Sequence, residues 1–112
     1  MINDLVEWKE KLRITNKLII VEGKKDKNAL NYLGITNIFV LNNKPLYKVV
    51  EDAAKLSKEI IILTDLDSEG RKLYSILKID LQKHGVKIDN EFREFLIRNT
   101  EMSCIEGIKK LF

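Results

Sequence analysis

Ile60-Ile61-Ile62-Leu63-Thr64-Asp65-Leu66-Asp67-Ser68-Glu69-Gly70-Arg71 is the stretch on which the fold turns. An apolar run ends in two carboxylates set two apart, and Gly70 and Arg71 then open a stretch with helical spacing. A short continuous apolar run bounded by turn residues reads as a strand buried on both faces. On an extended chain residues i and i+2 point to the same side, which places Asp65 and Asp67 to share one hard cation. An apolar strand has no structural need for two anions at its mouth. A second acidic strand end, Ile19-Ile20-Val21-Glu22-Gly23, lies upstream in a similar setting. Together the two segments suggest a three-carboxylate Mg²⁺ site.

Working outward, Leu5, Trp8 and Leu12 predict an amphipathic helix over 4–14. Lys17 to Glu22 reads as a buried strand, and residues 25–33 as a helix with Ala29, Leu30 and Leu33 inward and Gly34 as its stop. Residues 36–41 form a second strand, followed by the loop Asn42-Asn43-Lys44-Pro45 and a helix marked by Leu46, Val49, Val50 and Ala53 to about Ser57. Residues 59–64 are the third strand, and 69–84 a helix using Leu73, Ile76, Leu77 and Leu81, ended by Gly85. Val86-Lys87-Ile88 reads as a short edge strand. Asp89 is placed to cap a helix carrying Phe92, Phe95 and Leu96. Ser103-Cys104-Ile105-Glu106 has capping-box spacing, and Ile105, Ile108 and Phe112 give a terminal apolar stripe. Alternating strands and helices imply an α/β fold with a parallel sheet. Ligands of such sheets gather beyond the carboxyl ends of the strands, where Glu22, Asn42, Asn43, Asp65 and Asp67 all fall.

The chain has 112 residues, 45% of them apolar and 33% charged, with a net charge of +3. This fits one domain spanning 1–112 and argues against disorder. The mild positive excess is compatible with a nucleic-acid partner without demanding one. Cys104 is the only cysteine, so neither a disulfide framework nor a thiolate zinc cage is expected. Asn3, Asp4 and Glu7 interrupt any signal peptide, and no apolar run approaches the roughly 20 residues of a membrane span. A cytoplasmic protein without a membrane partner is the expectation.

Mg²⁺ takes oxygen ligands and keeps several waters, so one or two carboxylates with substrate phosphate oxygens suffice. Asp65 and Asp67 suit that work. Glu22 either completes the site or stays off the metal and exchanges a proton with a reacting hydroxyl. Crowded anions raise its pKa, while a cation lowers it. Gly70 lets a backbone approach a phosphate closely, and Arg71, Lys24 and Lys25 are placed to neutralise phosphates. Plainer readings stand beside these. Asp67 or Ser68 is also a helix cap. Glu22-Gly23 is also a turn, and Lys24, Lys25 and Lys27 a solvated helix face. His84 fits an interaction with its helix terminus, and Tyr32, Tyr47 and Tyr74 semi-buried packing.

The pair Val21-Glu22-Gly23-Lys24-Lys25-Asp26 and Thr64-Asp65-Leu66-Asp67-Ser68-Glu69-Gly70-Arg71, about forty residues apart, resembles the Toprim domain. That domain is shared by topoisomerases, bacterial-type primases, recombination-repair proteins, overcoming-lysogenization-type nucleases and a ribosomal-RNA maturation endonuclease. The match covers roughly 17–88, and the chain looks most like the small stand-alone Toprim proteins of archaea, primase-like or related to the rRNA maturation endonuclease. The resemblance implies a Rossmann-like three-layer fold with a central, mostly parallel four-stranded sheet flanked by helices. It implies Glu22 as general acid or base in phosphodiester chemistry and Asp65 and Asp67 as ligands of Mg²⁺, for which Mn²⁺ can substitute. Gly70 and Arg71 match the continuation that shapes the site and meets phosphate. Gly23 matches the turn, and Asp26 a frequent acidic position of less defined role. A topoisomerase's tyrosine-bearing domain and a primase's zinc module have no counterpart here. The resemblance therefore carries the fold and metal site and leaves the reaction open.

Three functions compete. The first is a Mg²⁺-dependent nuclease acting on RNA or DNA. The second is a metal-assisted binding module without turnover that grips nucleic acid or a protein partner supplying the missing domains. The third is a haloacid-dehalogenase-type phosphotransferase, whose strand also ends in D-x-D. That site needs a later Lys and acidic pair and leaves the Glu22 segment unexplained.

Overall fold

A computed structural model describes residues 1–112. The elements in chain order are α1 (Leu5–Ile14), β1 (Leu18–Val21), α2 (Lys24–Tyr32), β2 (Ile38–Val40), α3 (Leu46–Leu56), β3 (Glu59–Ile62), α4 (Ser68–Lys83), β4 (Lys87–Ile88) and α5 (Glu91–Asn99), then a 3-10 helix over Ile105–Leu111. The four strands form one parallel sheet in the order β2-β1-β3-β4. In register, Ile19 faces Ile38 on one side and Ile61 on the other.

The alternation of strand side chains sorts the core into two layers. Ile19, Val21, Ile61 and Leu63 point to the face covered by α1, α2, α5 and the 3-10 helix. Leu18, Ile20, Ile60 and Ile62 point to the face covered by α3 and α4. Ile60, Ile61 and Ile62 of β3, and Leu63 just after it, are all buried, as a strand covered on both faces requires. The result is the expected three-layer α/β arrangement.

Connectivity fixes where a ligand can sit. From β1 the chain crosses by α2 to β2 on one side, whereas from β3 it crosses by α4 to β4 on the other. Right-handed crossovers place those helices on opposite faces. The neighbours β1 and β3 thus send their following loops apart, and a crevice opens beyond their carboxyl ends.

Several expectations need correction. The Ser103–Glu106 capping box does not form: Cys104 is the N-cap of a 3-10 helix, with no side-chain cap bond. Ser103 is tied instead through its carbonyl, which accepts from the Leu66 N–H at 2.8 Å. Ile76 lies on the solvent side of α4, and Tyr32 and Tyr47 are exposed; Tyr74 alone of the tyrosines is half-buried. These residues satisfy the helical period but fall just outside the width of the apolar stripe. Trp8 is fully buried, its indole N–H donating to the Phe92 carbonyl at 3.0 Å, so it locks α1 to α5. Gly34 and Gly85 end α2 and α4 at positive φ, as a left-handed C-terminal stop requires. His84 is the C-cap of α4 and lies 2.9 Å from the Asp80 carbonyl through Nδ1, the helix-end role expected of it. No helix is long and apolar enough to cross a membrane.

Candidate metal centre

Glu22 follows β1 and Asp65 follows β3, and the crevice brings them together. The Asp65 N–H donates to Glu22 Oε2 at 2.7 Å, joining residues 43 apart in sequence. Glu22, Gly23, Lys24, Lys25, Asp26, Asn42, Asn43, Asp65, Cys104 and Glu106 line the cleft, about 440 Å³ in volume. Asn42 and Asn43 turn away from the end of β2 in the left-handed region, φ 51° and 62°, which asparagine tolerates better than most residues.

Asp67 stands differently. The chain bends at Leu66 and Asp67, so the extended-strand relation between the two aspartates is lost. Asp67 is the N-cap of α4, and its Oδ1 accepts from the Gly70 N–H at 2.8 Å. Asp65 Oδ1 accepts from the Ile105 N–H at 2.9 Å. Each of the three carboxylates therefore holds one backbone amide and keeps its second oxygen free of protein donors. No three acidic side chains converge on a single point in this arrangement.

Gly70 has a structural requirement of its own. A Cβ there would stand 1.9 Å from the Asp65 carbonyl oxygen, so only glycine lets α4 start this close to the loop. The Thr64 hydroxyl, fully buried, donates to the Gly70 carbonyl at 2.8 Å and closes the turn. Arg71 is exposed and borders a separate depression with Leu66, Ile97 and Met102, away from the Glu22 cleft. Lys24 and Lys25 do line the cleft.

Three buried polar side chains, Thr64, Asp26 and Arg93, surround this loop. Arg93 donates to the Thr64 carbonyl at 2.7 Å and to the Asp65 carbonyl at 2.9 Å, with its guanidinium 4.5 Å from the centre of the Tyr74 ring. Burial lowers its pKa, while Tyr74, Glu22 and Asp65 act to raise it. Asp26, in the first turn of α2, accepts from the Gly23 N–H at 3.1 Å. Burial, then the charge of Asp65, pushes its pKa up to about 6, against the Gly23 hydrogen bond; Glu22 and Glu106 add to the rise. Burial likewise raises Glu22, with the charges of Asp65 and Asp67 reinforcing it and the Asp65 N–H opposing it. The sequence signalled Asp26 only through its place in the acidic motif. Arg93 gave no signal, because it sits in a helical stretch where a charged residue reads as solvated, and Glu106 was read only as a capping-box partner of Ser103.

The donor set fits a hard divalent cation. Its charged groups are carboxylates with free oxygens, and none of Glu22, Asp26, Asp65 and Asp67 is ion-paired. Burial is the larger cause of the raised pKa of Glu22 and Asp26, and the neighbouring carboxylates add a second part that a cation would relieve. Asp65 and Glu22 line the cleft, one placed to hold the cation and the other to hold it or exchange a proton beside it; Asp67 does not line the cleft but is near enough for its charge to act on Glu22.

Residues 16–90 match the family model described as the Toprim domain. A UPF0292 protein of Methanocaldococcus jannaschii is 34% identical over 119 residues, covering 96% of this chain and 93% of its own length. A UPF0292 protein of Pyrococcus furiosus is 41% identical over 106 residues, covering 92% of this chain and 79% of its own. The solved structure of a protein from Aquifex aeolicus superposes with a TM-score of 0.87 at 32% identity, over 95% of this chain and 99% of that one. The zinc-binding and RNA polymerase domains of the Aquifex aeolicus primase superpose with a TM-score of 0.57 at 23% identity, over 92% of this chain and 27% of that one, a likeness of fold. With both acidic segments inside the matched residues and two archaeal UPF0292 proteins similar over nearly its whole length, this chain belongs to the Toprim domain family.

Proposed function

We propose that the cleft between β1 and β3 carries out Mg²⁺-dependent phosphodiester cleavage on RNA or DNA, with Glu22 as proton-transfer group and Asp65 and Asp67 as metal ligands. Toprim membership implies a metal-binding, nucleic-acid-related role, and the reaction named here goes one step further. The observation that carries it is the clasp between Glu22 and the Asp65 amide at the mouth of the sheet. A cation held by Asp65 and Asp67 would supply charge neutralisation at the phosphate and make a nearby water more acidic. The chain's own residues do the rest. Glu22 Oε2 is fixed by the Asp65 N–H, which leaves Oε1 to take or return a proton. Its raised pKa brings that exchange nearer neutral pH. Lys24 and Lys25 line the cleft and offset phosphate charge. Arg93 holds the Asp65 carbonyl and so fixes the carboxylate's base.

Purified protein is expected to cleave a structured RNA or DNA with Mg²⁺ or Mn²⁺ and not with EDTA. Glu22→Gln and Asp65→Asn are each expected to lower the rate at least about 100-fold, the scale of general acid–base catalysis. Variants that cleave like the parent remove these residues from the mechanism.

A second reading has an observation of its own. Asp67 is engaged as a helix cap, and no three carboxylates converge, which suits a metal held by two protein oxygens, waters and a phosphate. Such a site grips a phosphodiester without turnover. Mg²⁺-dependent binding with no product in a single-turnover experiment would favour it.

A further inference from the structure

The cleft continues beyond the acidic residues. A second depression of about 370 Å³ shares Lys25, Cys104 and Glu106 with the cleft, and a third of about 720 Å³ shares Cys104, Gly107 and Lys110 with the second. Together they form a trough that leaves the acidic centre, passes between α2 and the 3-10 helix, and continues between that helix and the segment that follows α5.

Charge changes sign along this trough. At the cleft end Glu106 adds to the negative field felt by Asp26. Lys25 lines both the cleft and the second depression, Lys109 and Lys110 line the second, and none of the three is ion-paired. Arg98 lies farther still and Glu101 beside it. Tyr32, at the C-terminal end of α2, lines none of the three depressions but stands just outside the second, with 75% of its surface exposed and the Lys109 ammonium 5.8 Å from its ring centre. Cations spaced along a groove and an open aromatic face are the two parts of a single-strand platform, the first for phosphates and the second for an unpaired base. A duplex keeps its bases stacked inside and has no use for the ring.

We propose that a single-stranded nucleic acid runs along this trough, its phosphates against Lys25, Lys109 and Lys110 and a base stacked on Tyr32, as it enters or leaves the acidic cleft. The proposal gives a substrate class to the cleft reading above and rests on it for the strand's path, while its test does not require cleavage.

Binding of labelled oligo-uridine and oligo-thymidine, each about a dozen nucleotides long to span a typical single-strand site, is measured by anisotropy in EDTA across a salt series. The matching duplex is measured alongside. The parent is expected to bind the single strands more tightly than the duplex. Lys109→Ala/Lys110→Ala is expected to weaken single-strand binding about tenfold and to flatten the log K against log salt slope by about 1.4, two phosphate contacts at ~0.7 each. Tyr32→Ala is expected to weaken it about fivefold or more, and Tyr32→Phe to retain binding. Lys55→Ala/Lys58→Ala, at exposed positions on and just after α3, is the control and is expected to bind like the parent. All the substituted positions are exposed, and unchanged melting temperatures show the variants folded. Oligo-uridine and oligo-thymidine affinities separate RNA from DNA as the natural strand. A parent that binds no single strand, or one that prefers the duplex, overturns the proposal. So do trough variants that bind as well as the control. Loss of cleavage in Glu22→Gln with intact binding in the trough variants retains the cleft reading and discards the trough. Lost binding in the trough variants without any cleavage does the reverse.

Discussion

Arg93 is almost wholly buried, yet its guanidinium bonds two backbone carbonyls and no carboxylate. It acts as a bracket on the loop that bears Asp65. Arg93→Met is expected to destabilise the protein by about 3 kcal/mol, since it strands two buried carbonyls that accepted from a charged donor. Urea unfolding measures this. Gly70→Ala is expected to cost about 2 to 4 kcal/mol by the same assay, because its Cβ meets backbone that cannot rotate away. At this scale the sequence was legible wherever position alone decides. Glu22, Lys24, Lys25 and Asp65 were named from their places after apolar strands, and all four border one cleft. Arg93 was not legible, because Glu91-Phe92-Arg93-Glu94-Phe95-Leu96 alternates like any surface helix, and the carbonyls that draw the arginine inward come from residues 64 and 65. The reason for Gly70 was equally hidden: it depends on a distance to residue 65 that no spacing rule contains.

The 3-10 helix is the element that most changes the picture of the site. Ile105 and Ile108 are buried in the core under α2, and the Ile105 amide orients Asp65. Ile108→Ala is expected to lose about 2 to 5 kcal/mol, the range for a buried isoleucine. It should also weaken Mg²⁺ binding, read by calorimetry, if loosening this helix frees Asp65. The strand–helix alternation showed the other elements well, with β1, β2 and β3 each shorter than the apolar runs suggested. The runs outlast the ladders because Leu41 and Leu63 still pack in the core after their strands have ended. The C-terminal segment misled for a physical reason. Its Ser-x-x-Glu spacing matches a capping box, but the Ser103 carbonyl is engaged by Leu66 and Glu106 turns toward the cleft. Tertiary contacts there outweigh a local cap.

For the whole molecule, the crowded acids couple stability to pH and to cations. Asp26 titrates near 6 in the folded chain against an ordinary value of 3.8, so the native state binds its proton more tightly than the unfolded state does. The stability this lends is full below pH 3.8 and is lost as pH rises through about 6. Glu22, raised in the same direction, acts in the same sense. In EDTA, the parent is expected to lose on the order of 2 kcal/mol relative to Asp26→Asn between pH 4 and pH 7.5, measured by urea unfolding of both proteins. Added Mg²⁺ is expected to raise the parent's melting temperature more at pH 7.5 than at pH 5, since a cation relieves only charges that are present. An equal rise at both values would separate cation binding from these carboxylates.

The clasp on Asp65 also has a temporal meaning. Its carboxylate is oriented by an amide 40 residues downstream, and its carbonyl by a guanidinium 28 residues downstream. Protein chains emerge from the ribosome N-terminus first and fold as they come. A nascent chain that has delivered both acidic segments but not residue 105 carries the carboxylates without their final alignment. The centre is thus completed only once residue 105 has emerged, after the sheet that bears it, and a chain truncated before that point has the acidic motifs without a finished site.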